Sequence, residues 1–327
     1  MRTPGETFAA AIRLEPPGQG SMVPLWELEF HGWELFAGRP FRVGSDFVRL
    51  SPGEQEHALH ENAGIIAEVS EILDFAAVTV PGEYWEIAPG HAAYYWLPGE
   101  ARLEQIRLLQ KAMGERVTLV AGCPAVLAMP GADEYMEFAT TLMERPREIE
   151  SRARKLCRSG MEQAGRLLGL GIGALYTASD IADNHGPYFD PGQMDRLILP
   201  YLDRWAGHVH SGGGLSILHS DGNLAPCLEA IAETQVQALQ AIDPTAGMEL
   251  KETKEAVGDR ICLCGNIECG LFMSEDPQQV YESTREALTG SKAGGGLVLG
   301  ASNAIEQGFR RENYLAYHSA WKEFGKY

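Results

Sequence analysis

Eight short apolar runs alternate with long amphipathic stretches along this chain, and that order limits its fold more than any other feature. The runs occupy residues 22–26, 75–80, 117–122, 173–177, 215–219, 238–242, 261–265 and 297–300. Each is aliphatic or β-branched and is bounded by Gly, Pro, Asp or Asn, the pattern of a short buried strand. Between them, residues 54–73, 103–113, 132–168, 192–209, 225–234, 249–257 and 277–288 repeat apolar side chains every three or four positions, which predicts helices. Asp190-Pro191 and Asp276-Pro277 supply helix start signals. Strands separated by helices pair in parallel, and eight of them predict an α/β fold of the (β/α)8, or TIM-barrel, type. A doubly wound open sheet is the alternative that strand count alone leaves standing. No linker divides the chain, so residues 1–327 are expected to form one domain. The long connections 27–54 and 81–102 are expected to make a lid.

Charge and cysteine usage narrow the partners. The 27 Lys and Arg face 45 Asp and Glu, a formal charge of −18, so nucleic acid and anionic membrane are not expected partners. No apolar run approaches the roughly 18 residues of a membrane span, and the start of the sequence lacks a signal-peptide pattern. Six cysteines make no disulfide framework, so a cytoplasmic protein is expected. The sequence leaves the oligomeric state open.

In a parallel barrel the residues just after each strand line the working face. Here they are Glu27, Glu29 and His31; Glu83, Tyr84 and Trp85; Cys123; Asp180 and Asp183; His219 through Asn223; Asp243; Asn266 and Glu268; and Ser302 and Asn303. Any one of these could simply mark a polar loop. The run His219-Ser-Asp221-Gly-Asn223 reads more sharply, because His and Asp two apart project together from a strand end while Gly222 lets the chain turn. None of these residues is Arg or Lys. Cys262 and Cys264 fall on one face of a buried strand and read as core rather than a metal motif. The glycine runs 169–173 and 294–296 lead into strands, the wrong setting for a phosphate loop. Tyr94, Tyr95 and Trp96 either roof an aromatic or cationic substrate or pack as lid.

The segments His219-Ser-Asp-Gly-Asn223, Thr177-Ala-Ser-Asp-Ile-Ala-Asp-Asn-His-Gly-Pro187 and Glu312-Asn313 together resemble the uroporphyrinogen decarboxylase superfamily. That superfamily also holds the cobalamin-dependent methyltransferases. The resemblance runs from about Thr3 to the C-terminus, and it implies a barrel with one deep funnel. The true decarboxylase binds an octa-carboxylate through an arginine-rich N-terminal motif. The corresponding stretch here, Trp26-Glu-Leu-Glu-Phe-His-Gly-Trp33, is acidic, and Asn303 stands where the family's histidine is expected. The methyltransferase branch often holds zinc through His-x-Cys and a distant Cys; the matching positions here are His219, Asp221 and Asn303. The usual thiolates are therefore missing, and zinc remains allowed only as a harder site of His219 and Asp221 with Glu29.

The function implied is a methyltransferase that exchanges a methyl group between a small methylated substrate and a corrinoid on a separate protein. The alternatives are a decarboxylase of the family type and a barrel that binds ligand without chemistry. The expected catalytic residues are Asp180, Asp183, His219, Asp221 and Asn303, with the crowded aspartates holding a proton for the leaving heteroatom. Glu27, Glu29, His31, Tyr84, Trp96, Tyr176, Asn223 and Asp243 are expected to bind substrate.

Overall fold

The computed structural model describes residues 2–327. Its centre is a curled parallel sheet of seven strands: β1 (Ala77–Thr79), β2 (Thr118–Gly122), β3 (Ala174–Ala178), β4 (Leu215–His219), β5 (Ala238–Ala241), β6 (Cys262–Gly265) and β7 (Leu297–Val298). They lie side by side in chain order, and the ladders are parallel throughout. The eighth expected strand, at 22–26, is not one. Pro24 breaks the run, and a proline has no N–H to give a ladder. What remains is a seam: Leu25 forms isolated parallel bridges to both Phe75 and Leu299. Ala76 N donates to Leu25 O (2.9 Å), Trp26 N to Leu299 O (3.0 Å) and Leu299 N to Pro24 O (2.9 Å). The first and last strands therefore meet the same short segment.

Helices cover the outside of the sheet. α1 (Pro4–Ile12), which the apolar pattern does not single out, is started by a capping box in which Thr3 and Glu6 satisfy each other's backbone N–H. Its Phe8, Ala11 and Ile12 pack against Ala174, Leu215, Ala238 and Cys262 inside the curl, so α1 plugs the amino end of the sheet. Next come α2 (Pro52–Ile72) and α3 (Gly99–Met113). The stretch 132–168 proves to be two helices, α4 (Tyr135–Glu144) and α5 (Pro146–Gly169). They part at Arg145 (φ −136°, ψ 52°), because a proline forces the residue before it out of the helical region. The others are α6 (Leu199–Ser211), α7 (Leu228–Ala232), α8 (Leu250–Val257), α9 (Pro277–Ser291) and α10 (Arg311–Phe324). α10 lies outside the stretches whose apolar spacing predicts a helix.

Two layers of core follow from this arrangement. Inside the curl lie Trp26, Val120, Tyr176, Ile217, Cys262, Cys264 and Val298, and the sheet-to-helix layer outside is larger and more aliphatic. Cys262 and Cys264 are thus packing residues. The 27–54 connection folds into two short helices, Trp33–Ala37 and Gly44–Val48, and 81–102 carries a hairpin of Glu86–Ala88 with His91–Ala92. The two connections touch, Gly44 N donating to Trp96 O (2.7 Å). No helix among the described residues is long and apolar enough to cross a membrane.

Leu25 is fully buried at the seam. Leu25→Ala should therefore cost about 2–5 kcal/mol, the range of buried leucine truncations, seen as a lower urea midpoint with an unchanged slope. A loss under about 1 kcal/mol would mean that the Leu25 side chain contributes little to holding the seam in the core.

Candidate active site

The carboxyl ends of β3 and β4 bring two acids and a histidine together, and β5 adds a glutamine. His219 ends β4 and is 5% exposed. Its Nδ1 meets Gln240 Oε1 in a short hydrogen bond. The Gln240 amide is fixed from behind, Nε2 donating to Ala301 O (3.2 Å) and Ser302 O (3.1 Å). Its oxygen must therefore face the ring, so His219 Nδ1 carries hydrogen and Nε2 is the atom turned to the site. Nε2 lies 3.8 Å from Asp180 Oδ1 and 3.9 Å from Asp221 Oδ1.

Asp221 follows on a sharp turn. Gly222 has φ +89°, and a Cβ there would sit 2.5 Å from Ala182 O, so only glycine fits. Asp221 N donates to Asp180 Oδ1 (3.0 Å), and Asn303 Nδ2 donates to Asp221 Oδ2 (2.6 Å). Burial pushes the Asp221 carboxyl up to about 6; the Asp180 and Asp243 charges push the same way, against His219 and the Asn303 bond. Asp180, His219 and Asp221 each offer a ligand atom, all within 4.8 Å of one another. Beside Asn303 opens a cavity of about 300 Å³ lined by Cys269, Phe272, Met273, Ile305 and Phe309.

Other expected site residues lie elsewhere. Asp183 is exposed and turns a hairpin, its Oδ1 accepting from His185 N (2.7 Å) and Gly186 N (3.2 Å). Those bonds hold its carboxyl below the usual range rather than above it. Asp243 is buried and occupied as a cap, accepting from Thr245 N (2.9 Å), Thr245 Oγ1 (2.7 Å) and Gly222 N (3.2 Å). Asn223 accepts from Ala225 N (3.1 Å). Glu29 pairs with His31 (3.1 Å) instead of joining His219 and Asp221; Asp180 takes the place expected of it. The His31 ring lies 4.8 Å from that of Tyr94. Tyr84 is exposed and stands edge-on to Trp96 at 4.9 Å. Tyr176 ends inside the curl with its hydroxyl against Gly122.

Glu27 is 4% exposed, under the site floor rather than on it. Its Oε2 accepts from Ala301 N (2.8 Å) and its Oε1 from Tyr314 Oη (2.8 Å). Burial raises it to about 7, against those hydrogen bonds.

Two residues, Gln240 and Arg102, stand outside the expected set, and a third, Asn313, enters it only through the family resemblance. Gln240 is a polar side chain inside an apolar strand run, which is the signal that marks it. Arg102 comes from α3, not from a strand exit, and puts a buried cation beside the connection that follows β1. It is buried, with Nε donating to Pro81 O (3.0 Å) and Nη1 to Glu83 (3.1 Å), so its charge is answered locally. Asn313 is buried and donates to three carbonyls, Leu271 (2.9 Å), Phe272 (3.1 Å) and Ser274 (2.9 Å). It pins the loop that carries the cavity wall.

Comparison with known proteins identifies the family and the fold. The sequence model described as uroporphyrinogen decarboxylase (URO-D) matches residues 100–324. The chain belongs to that family. The uroporphyrinogen decarboxylase of Coxiella burnetii is 25% identical over 231 residues, 68% of this chain and 62% of the relative. A second, from Shewanella loihica, is 29% identical over 99 residues, 27% of each chain. The chain thus spans about three fifths of the length of the Coxiella relative. Among solved structures, a methyltransferase from Methanosarcina mazei superposes with a TM-score of 0.73 at 18% identity, covering 99% of both chains. An endo-1,4-beta-mannanase from Rhizomucor miehei reaches 0.51 at 10% identity, covering 93% of this chain and 99% of its own. These likenesses show the shared fold.

Two titrations check the electrostatics. Glu27 holds its proton more tightly folded than unfolded, so the native state binds more protons between about 4.5 and about 7. Stability must then fall as pH rises through that window and level off above it. Glu27→Gln should remove on the order of 3 kcal/mol of that slope, measured by urea unfolding across pH; an unchanged slope would show that Glu27 is ionised throughout. Asp180→Asn removes a like charge, so the Asp221 midpoint should drop below about 6 in carboxyl carbon NMR. A midpoint that stays or rises would contradict the assigned cause.

Proposed function

We propose that this chain transfers a methyl group between a small methylated substrate and a corrinoid carried by a separate protein. The observation that supports it most is Asp221, a carboxyl whose affinity for its proton is raised to about 6, beside a histidine and, through Asn303, a cavity lined by both apolar side chains and Glu306. A methyl bound to oxygen, nitrogen or sulfur leaves poorly unless the heteroatom gains a proton. In this scheme the bond from methyl carbon to heteroatom breaks and the heteroatom keeps the electron pair. The methyl carbon bonds to the electron pair of the reduced corrinoid cobalt, and Asp221 delivers its proton to the heteroatom.

The surroundings suit that step. Asn303 Nδ2 donates to the carboxylate that the transfer leaves behind, and His219 Nε2, held in one direction by Gln240, faces the same oxygen pair. Asp180 fixes the Asp221 backbone through its N–H. Phe272, Met273, Ile305 and Phe309 offer an apolar wall to the substrate's carbon frame. The seam at Leu25 reads as a shortened eighth strand that closes the barrel, and the touching connections 27–54 and 81–102 read as its lid. Six unpaired thiols suit a reducing cytoplasm.

The same atoms also fit a divalent cation of harder character than a thiolate zinc site takes. His219 Nε2, Asp180 and Asp221 would hold it, with Gln240 fixing the imidazole as an outer partner does. When bound, the ion would polarise the leaving heteroatom in place of the proton. A decarboxylase is the second reading, favoured by the names of the family and of the curated relatives. Against it, Asp180 would repel a polycarboxylate, while Arg102 is already paired.

The test is methylation of cob(I)alamin by methoxyaromatic, methylamine and methylthio donors, followed by absorbance. Turnover with one donor class is expected, falling as pH rises above about 6 because the acid form is the donor. Asp221→Asn should lower it by about 10²–10⁴-fold. Carbon dioxide release from uroporphyrinogen, with no methyl transfer from any donor, would overturn the proposal for the second reading.

A further inference from the structure

One buried group is left over by the chemistry above. Glu27 does not reach the cavity or the acid cluster, yet a carboxyl in such a place costs free energy unless its bonds repay it. Its Oε2 takes the N–H of Ala301 and its Oε1 the hydroxyl of Tyr314, with Tyr317 beside them. The bond to Ala301 matters because of what the next atoms along the chain do. The carbonyls of Ala301 and Ser302 both accept from Gln240 Nε2, and this sets which Gln240 atom faces His219. Two residues on, Asn303 Nδ2 holds Asp221 Oδ2 (2.6 Å). Residues 301–303 thus orient both partners of the site, and their backbone is fixed elsewhere by Ser302 N to Ile267 O (2.8 Å) and Asn303 N to Cys269 Sγ (3.2 Å).

From this chain of bonds we infer that Glu27 is a positioning residue: by holding Ala301 N it sets the 301–303 segment, and through it the tautomer of His219 and the bond that Asn303 makes to Asp221. Glu27 touches no reacting atom. Its place is fixed by the seam, since the residue after Trp26 must lie beside the strand that Trp26 N bonds, at Leu299. Only a carboxyl or carboxamide there has an acceptor for Ala301 N together with an atom for the Tyr314 hydroxyl. An apolar residue would fill the space and leave a buried N–H unpaired, at a cost the segment could avoid only by moving. Glutamine keeps the acceptor, so Glu27→Gln and Glu27→Leu separate the hydrogen bond from mere volume.

The inference adds to the proposed function but is tested without it, since its readout needs no substrate. The probe is the full chain with 15N-labelled histidine, examined at alkaline pH, alongside the Asp221 titration by carboxyl carbon NMR. The unsubstituted protein and E27Q should show His219 with hydrogen on Nδ1 only. E27L, still folded by thermal unfolding, should show a mixture of tautomers and an Asp221 midpoint displaced by at least about half a unit, a change well outside unaltered surroundings. An E27L protein that keeps both signals would overturn the inference, as would an E27Q protein that behaves like E27L. If E27L does not fold, Tyr314→Phe takes its place. It frees one carboxyl oxygen, and a smaller change in the same two signals is expected; no change in either would overturn the inference too. Loss of methyl transfer alone, with both signals intact, would bear on the proposed chemistry and not on Glu27.

Discussion

The rest of this structure depends on the backbone seam between residues 24–26 and the outer strands of the sheet. A parallel sheet has two raw edges, each a row of unpaired backbone groups that must find partners or be covered. Here one short segment serves both, bonding to Ala76 on one side and Leu299 on the other. Because strands run parallel, this also fixes which ends become neighbours. The residue that leaves the seam, Glu27, arrives beside the exit of the last strand, 274 positions away in sequence. A carboxyl near the start of the chain can thus hold the backbone that carries Asn303 near its end.

A gradient of solvation follows from that closure. Glu27 lies deepest, Asp221 is half-buried, Asp180 is more open, and Asp183 is out in water on its hairpin. Proton affinity follows the same order where it departs from the ordinary value: about 7 for Glu27, about 6 for Asp221, below normal for Asp183. Burial rather than the number of nearby acids sets the ranking, since desolvation is the first cause for both raised groups. The overall charge of −18 therefore says little about the site. Burial raises the proton affinity of two carboxyls, Glu27 and Asp221, and most of the other acids lie on the surface.

The sheet is legible because buried strands are mostly apolar on both faces, and each of the seven coincides with an apolar run to within one residue. The seam has the sequence character of a strand because Leu25 and Trp26 are as apolar as strand residues; only Pro24 marks the difference. The cluster of Asp180, His219, Asp221 and Asn303 could be anticipated because parallel strands present their carboxyl ends on one face. Glu29, Asp183 and Asp243 share that address in sequence, but local partners consumed them: an imidazole, two backbone N–H groups and a threonine. Sequence order does not reveal such competition. Arg102 and Gln240 were missed for the opposite reason, one reaching in from a helix and the other hidden within a strand.

The plug formed by α1 makes the two ends of the sheet unequal. Phe8 and Ile12 fill the amino end of the curl with side chains, while the cluster of Asp180, His219 and Asp221 sits at the carboxyl end. A nine-residue helix near the start of the chain thus closes one face to solvent and leaves the other as the direction from which the cluster is approached.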